Sequence, residues 1–115
     1  MAVNPRIKFR VGDLYETREW FWLVYPTKSV AARGAWPVAR GLARTARGVS
    51  AQQSKLLNCR VTYVEPGAGF MVLSVDGEYL EVLFPEQMGW INVPGWAKKN
   101  IVQALDRHTQ EHLDE

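Results

Sequence analysis

The chain has 115 residues, a net charge of +2 and 47% hydrophobic residues, which predicts a single globular domain over residues 1–115 with a core of its own. Five Trp residues exclude disorder along the whole chain, and the single Cys excludes an internal disulfide framework. No apolar run approaches the length of about 20 residues that a membrane-spanning helix needs, and no signal-peptide pattern is present, so a cytoplasmic protein without membrane contact is expected.

Charge is distributed unevenly along the chain. Residues 20–64, here called the basic segment, contain seven Lys and Arg residues and no Asp or Glu, whereas residues 65–115 have a net charge of −6. Such a segment faces either an acidic partner or the acidic half of its own chain. Both interpretations stay open on sequence, because complementary surface charge within a domain is common and individually weak.

Two strands are predicted near the N-terminus. Residues 7–15 alternate apolar with basic side chains, the period-two pattern of a half-buried strand, and Gly12 interrupts them. Residues 20–25 form a dense run of aromatic and branched side chains that favours a second strand. Pro26 ends this strand, because proline has no N–H group to donate to a neighbouring strand.

Residues 27–58, here called the insertion, are rich in Ala, Gly, Arg, Ser and Gln and are predicted to be helical. A Trp-Pro step followed by a downstream glycine predicts a helix over residues 37–47 that ends at Gly48. A Ser-Ala-Gln-Gln sequence fits a capping box and predicts a second short helix that ends at Asn58.

The following residues return to strand patterns. Strands are predicted over residues 60–64, 70–75, 78–84 and 89–93. Asp76 and Gly77 are predicted to be the central residues of a type I′ turn that joins an antiparallel hairpin. In the second hairpin strand every other residue is apolar, and Glu81 identifies the opposite face as the solvent-facing one.

The C-terminal region is compatible with a strand and with a helix. A turn over residues 96–100, a brief strand to residue 104 or 105 and a polar helical tail over residues 106–115 are favoured. The tail contains a His-x-x-Glu-His string between His108 and His112, yet chain ends commonly fray, so no metal site is predicted. Cys59 is interpreted as a small buried residue, and no catalytic residue or cofactor is predicted.

These elements together resemble the SH3-like barrel family. The hairpin over residues 70–84 looks like the distal hairpin of that family, and residues 89–91 followed by residues 100–105 are similar to its closing strand and last strand, with a 3₁₀ turn between them. The resemblance covers residues 7–25 and 59–105 and implies a mainly β, partly open barrel of about five strands. The family's acidic first loop and paired aromatic residues for proline-rich peptides are missing, and the insertion takes their place.

A small barrel with such an insertion is also similar to accessory or virion proteins of tailed phages, which implies a location in the host cytoplasm or the virion. The insertion is the predicted functional element, because Arg binds carboxylates and phosphates in planar geometry and Trp is enriched at binding hot spots. The predicted site residues are Arg33, Trp36, Arg40, Arg44 and Arg47.

Three functions are weighed for this site. The preferred hypothesis is a non-enzymatic interaction or assembly module that docks an acidic protein partner through the insertion. The alternative is a nucleic-acid-binding protein that contacts phosphates independently of base sequence. A third interpretation is that the insertion only caps one end of the barrel and its charges balance the acidic half of the chain.

Overall fold

The structure is a computed structural model that describes residues 8–34 and 46–103. Strands predominate in it, so the predicted mainly β class is confirmed. The elements are β1 (Leu14–Thr17), β2 (Trp22–Val24), α1 (Lys28–Arg33), α2 (Ala46–Leu57), β3 (Thr62–Val64), β4 (Gly69–Asp76), β5 (Tyr79–Phe84), β6 (Gln87–Asn92), a 3₁₀ helix (Gly95–Asn100) and β7 (Ile101–Gln103). No helix in these two ranges is both long and apolar enough to cross a membrane.

Five of the strands form one antiparallel sheet in the order β6-β5-β4-β1-β7. Strands β2 and β3 form a separate antiparallel pair. An isolated bridge between Tyr25 and Trp90 joins the end of β2 to β6, with backbone N–H···O distances of 2.8 and 2.7 Å. The two sheets do not close into a complete barrel.

Two apolar clusters lie between these layers. The larger cluster covers the inner face of the five-stranded sheet, and its fully buried members include Tyr15, Trp22, Val72, Leu80, Val82 and Ile91. The second cluster lies between the helices and strands β2, β3 and β6, around Leu23, Tyr25, Ala31 and Val61. The described part of the insertion therefore packs against the strands instead of extending from them.

The predicted hairpin is present, but its turn lies one residue further along than predicted. Asp76 pairs with Tyr79, so the two loop residues are Gly77 and Glu78. Only Gly77 has a positive φ, 62°, which is the pattern of a type II′ turn and not of the predicted type I′ turn. Because Asp76 is paired in the ladder, the loop consists of Gly77 and Glu78. Glycine then occupies the first loop position, which is the one that needs a positive φ in a type II′ turn.

The predicted end of the first helix in the insertion is wrong. Gly48 lies inside α2, in its first turn. A glycine there costs about 1 kcal/mol relative to alanine, and the burial of Ala46 and Ser50 on the same helix offsets this cost. The predicted end of the second helix is confirmed, because Asn58 adopts a left-handed φ of 52°. Most of the predicted helix over residues 37–47 lies outside the described residues.

The N-terminal strand begins later than its alternating pattern predicts. Residues 8–10 form no ladder, and β1 starts only after a turn in which Gly12 has a φ of 91°. Phe9 nevertheless packs against the larger cluster, whereas Val11 of the same alternating pattern is 65% exposed. At the other end, the 3₁₀ helix and β7 confirm the predicted turn and brief strand, and residues 106–115 lie outside the described residues.

Candidate functional site

Helix α1 begins the insertion and is not one of the two helices that were predicted within it. Thr27 caps it, since its side-chain oxygen accepts a hydrogen bond from the Val30 N–H at 3.2 Å. Gly34 ends it at a close approach, where an added Cβ would lie 2.2 Å from the ring of buried Tyr25. This arrangement places the predicted site residue Arg33 in the last turn, exposed to solvent.

Helix α2 is fastened to the start of β3 by two serines. The Ser50 hydroxyl donates to the Val61 carbonyl at 2.6 Å, and the Val61 N–H donates to Ser54 Oγ at 2.9 Å. Because both serines lie on one side of the helix, the opposite side faces solvent. That side, here called the α2 solvent face, contains Arg47, Gly48, Ala51, Gln52, Lys55 and Leu56.

Most of the described cations of the basic segment are not paired with acidic side chains of the described ranges. Lys28 forms an ion pair with Asp76. Four exposed cations make no ion pair with any residue of the described ranges; they are Arg33, Arg47, Lys55 and Arg60. Within the described ranges, one surface ion pair therefore neutralises a cation of the basic segment. Such surface pairs contribute little to stability.

The predicted site residues are only partly described. Arg33 and Arg47 are exposed on α1 and α2, whereas Trp36, Arg40 and Arg44 lie outside the described residues. Lys55 and Leu56 lie on the α2 solvent face together with Arg47 but were not among the predicted site residues. The continuous helix from Ala46 aligns them with Arg47, and the predicted stop at Gly48 concealed this alignment.

A row of apolar side chains crosses the outer face of the sheet. Leu14 pairs with Met71, Met71 pairs with Leu83, and Leu83 pairs with Met88. Directly paired residues lie on the same face of a sheet, so these four side chains form one strip, here called the apolar strip. Leu14 is 42% exposed, Leu83 44% and Met88 60%. The sequence already indicated one member of this strip, because Leu83 alternates onto the same strand face as Glu81, which was predicted to face solvent.

An open groove lies beside the turn between β5 and β6. It has a volume of about 670 Å³ and is lined by residues that include Glu65, Glu86 and Phe84. Thr17 holds the loop over residues 65–68 that lines it, because its hydroxyl donates to the Glu65 carbonyl at 3.2 Å and its Oγ accepts from the Ala68 N–H at 3.0 Å. With two glutamates and no Lys or Arg among the described residues that line it, this acidic groove favours a cationic ligand.

No group of three His, Cys, Asp or Glu residues in the described ranges is placed to hold a metal ion. Cys59 is half-buried beside the second cluster. Burial raises the pKa of the Tyr15 phenol, an effect that the hydrogen bond from the Arg10 N–H partly opposes, and this hydroxyl belongs to the core of the sheet.

Comparisons of the chain with protein families, with curated proteins and with solved structures found no match.

Proposed function

We propose that this protein is an SH3-like barrel that acts as a non-enzymatic interaction or assembly module and docks an acidic protein partner through its basic segment. The observation that carries this proposal is the set of four exposed cations without an ion-pair partner in the described ranges, Arg33, Arg47, Lys55 and Arg60. Cations held on a folded surface steer oppositely charged partners and orient them.

The pairing of the last described strand with the first supports the SH3-like part of the proposal. Strand β7 follows a 3₁₀ helix and pairs with β1, and a 3₁₀ turn followed by a last strand is the order that the sequence resemblance implies. The likeness to phage accessory or virion proteins stays a prediction.

The distribution of charge favours a protein partner over a nucleic acid. Arg60 lines a cavity together with Glu86, and the acidic groove lies next to that cavity, with Glu86 in both. A nucleic-acid backbone is a continuous line of negative charge and binds best along an uninterrupted basic surface. Carboxylates within the basic surface repel such a backbone, whereas a protein partner presents acidic side chains at separate points.

Binding of two anionic probes to the wild-type protein tests this function. We expect a polyglutamate peptide to bind and a mixed-sequence DNA duplex to bind only in the non-specific micromolar range or weaker at about 0.2 M salt. The triple variant Arg33→Gln, Arg47→Gln and Lys55→Gln is expected to lose about tenfold in affinity for polyglutamate.

The matched control removes three exposed cations outside the insertion, Lys8→Gln, Arg18→Gln and Lys99→Gln, and is expected to keep most of the affinity. Equal losses in both triple variants would show that only net charge matters and would contradict a site on the insertion. Duplex binding that stays tight at about 0.2 M salt would favour the nucleic-acid alternative.

A further inference from the structure

The acidic groove continues into the apolar strip. Phe84 and Pro85 line the groove and also line an apolar cavity of about 430 Å³, which contains Leu14, Met71 and Leu83. One open surface therefore presents carboxylates on one side and apolar side chains on the other. A ligand that fits it has cationic groups next to an apolar side chain.

The α2 solvent face has this composition. Arg47 and Lys55 lie eight residues apart, which is about 12 Å along a helix, and both are exposed. Leu56 follows Lys55 and is 69% exposed, the most exposed of the large hydrophobic residues in the described ranges. Gly48 and Ala51 on the same face have no bulky side chain, so a partner surface can approach the helix closely.

The cations of the α2 solvent face make no ion pair with the described residues of their own copy. Ser50 and Ser54 hold the opposite side of the helix against Val61, so Arg47 and Lys55 face solvent. Within one copy, the described parts of the basic segment and the acidic half form one ion pair, between Lys28 and Asp76. Arg47 and Lys55 are not part of it, so their charges are available to the carboxylates of a second copy.

We propose that the acidic partner is a second copy of this chain, in which the α2 solvent face of one copy docks on the acidic groove and apolar strip of the other. This inference rests on the proposed function and names its partner. Arg47 and Lys55 approach Glu65 and Glu86, and Leu56 covers part of the apolar strip. Association then depends on salt, because the contacts are between solvent-exposed charges.

A charge-swap experiment tests the contact by sedimentation velocity over a concentration series that reaches about 0.2 mM. One variant reverses the helix face, Arg47→Glu with Lys55→Glu, and the other reverses the groove, Glu65→Lys with Glu86→Lys. Each variant alone opposes like charges and is expected to raise the dissociation constant for self-association at least about tenfold. An equimolar mixture pairs opposite charges again and is expected to associate as the wild type does.

The matched control reverses two exposed cations outside the α2 solvent face, Arg18→Glu with Lys99→Glu, which changes the net charge by the same amount. It is expected to keep the wild-type dissociation constant. Circular dichroism of every variant establishes that the fold is retained. Loss of association in the control, or a swapped mixture that stays monomeric, would overturn the proposed contact.

The outcome for the wild type separates this inference from the proposed function. A wild-type protein that stays monomeric up to about 0.2 mM but binds polyglutamate through Arg33, Arg47 and Lys55 overturns the second copy as partner and leaves the interaction module intact. A wild-type protein that neither self-associates nor binds polyglutamate overturns both proposals.

Discussion

The five-stranded sheet is stabilised by ladders along its whole length, whereas the helices in the described part of the insertion are held on one side. In the sheet, every strand shares a hydrogen-bonded ladder with a neighbour, and its inner face is covered by buried side chains such as Val72, Leu80 and Ile91. In the insertion, α1 packs through Ala31 and the close approach of Gly34 to Tyr25, and α2 packs through Val49 and Leu57 and is hydrogen-bonded to Val61 by two serines. Attachment on one side leaves the solvent faces of the helices free to present binding residues.

The largest expected effect comes from the core of the sheet. Leu80→Ala removes a side chain that is 1% exposed and is expected to lower the free energy of unfolding by about 2–5 kcal/mol, because it leaves a cavity. Leu83→Ala on the same strand is the control, since its side chain lies on the exposed strip, and a loss of less than about 1 kcal/mol is expected. Urea denaturation measures both, and equal losses would contradict the assignment of faces.

A smaller effect is expected where α1 meets Tyr25. Gly34→Ala places a Cβ 2.2 Å from a buried ring, and the displacement that follows is expected to cost about 1–3 kcal/mol of unfolding free energy. Gly48→Ala is the control, because an added Cβ meets nothing within 4 Å there and a stabilisation of up to about 1 kcal/mol is expected. Thermal denaturation that ranks the two variants in the opposite order would disprove the close approach at Gly34.

The attachment of α2 is the next target. Ser54→Ala removes the acceptor of the Val61 N–H group and is expected to cost about 1–2 kcal/mol, because a partly buried donor loses its partner. Ser29→Ala changes an exposed serine of α1 and is expected to stay within about 0.5 kcal/mol of the wild type. Hydrogen exchange localises the change, and protection that is lost in the sheet before α2 would contradict the role of Ser54 in attaching the helix.

The smallest expected effect is a loss of stability at alkaline pH, and it originates in the sheet. Burial raises the pKa of Tyr15 above its ordinary value of 10.0, so the unfolded chain releases this proton at a lower pH than the folded one. Stability is therefore expected to decrease as the pH rises above about 10 and to level off beyond the folded pKa. Urea midpoints measured across this range test the slope, and Tyr15→Phe is expected to flatten it whatever its stability at neutral pH.

Much of the sheet could be predicted, because the sequence patterns that indicate strands and tight turns involve only residues close together along the chain. The alternation that buries Leu80, Val82 and Phe84 follows from the two-residue period of a strand. The hairpin follows from a glycine between two β-favouring runs. The exact turn could not be predicted, because the register between β4 and β5 decides which residues leave the ladder, and Asp76 stays within it.

The insertion was harder to predict. The stop at Asn58 could be predicted, because asparagine tolerates a left-handed conformation. Helix α1 has six residues and few intrinsic signals beyond its Thr27 cap, so its packing against Tyr25 and the neighbouring strands stabilises it. Gly48 was predicted to end a helix, but α2 continues through this position. The hydrogen bonds of Ser50 and Ser54 with Val61 stabilise the continued helix.

The sequence by itself determined the mainly β class, the hairpin and the separation of basic from acidic residues, because each depends on neighbours along the chain. Only the tertiary structure decided that Leu14, Met71, Leu83 and Met88 form one exposed strip, because four strands must pair in a particular register to align them. It also decided that Arg47, Lys55 and Leu56 share a solvent face, because the attachment of α2 to β3 determines which side of the helix is covered.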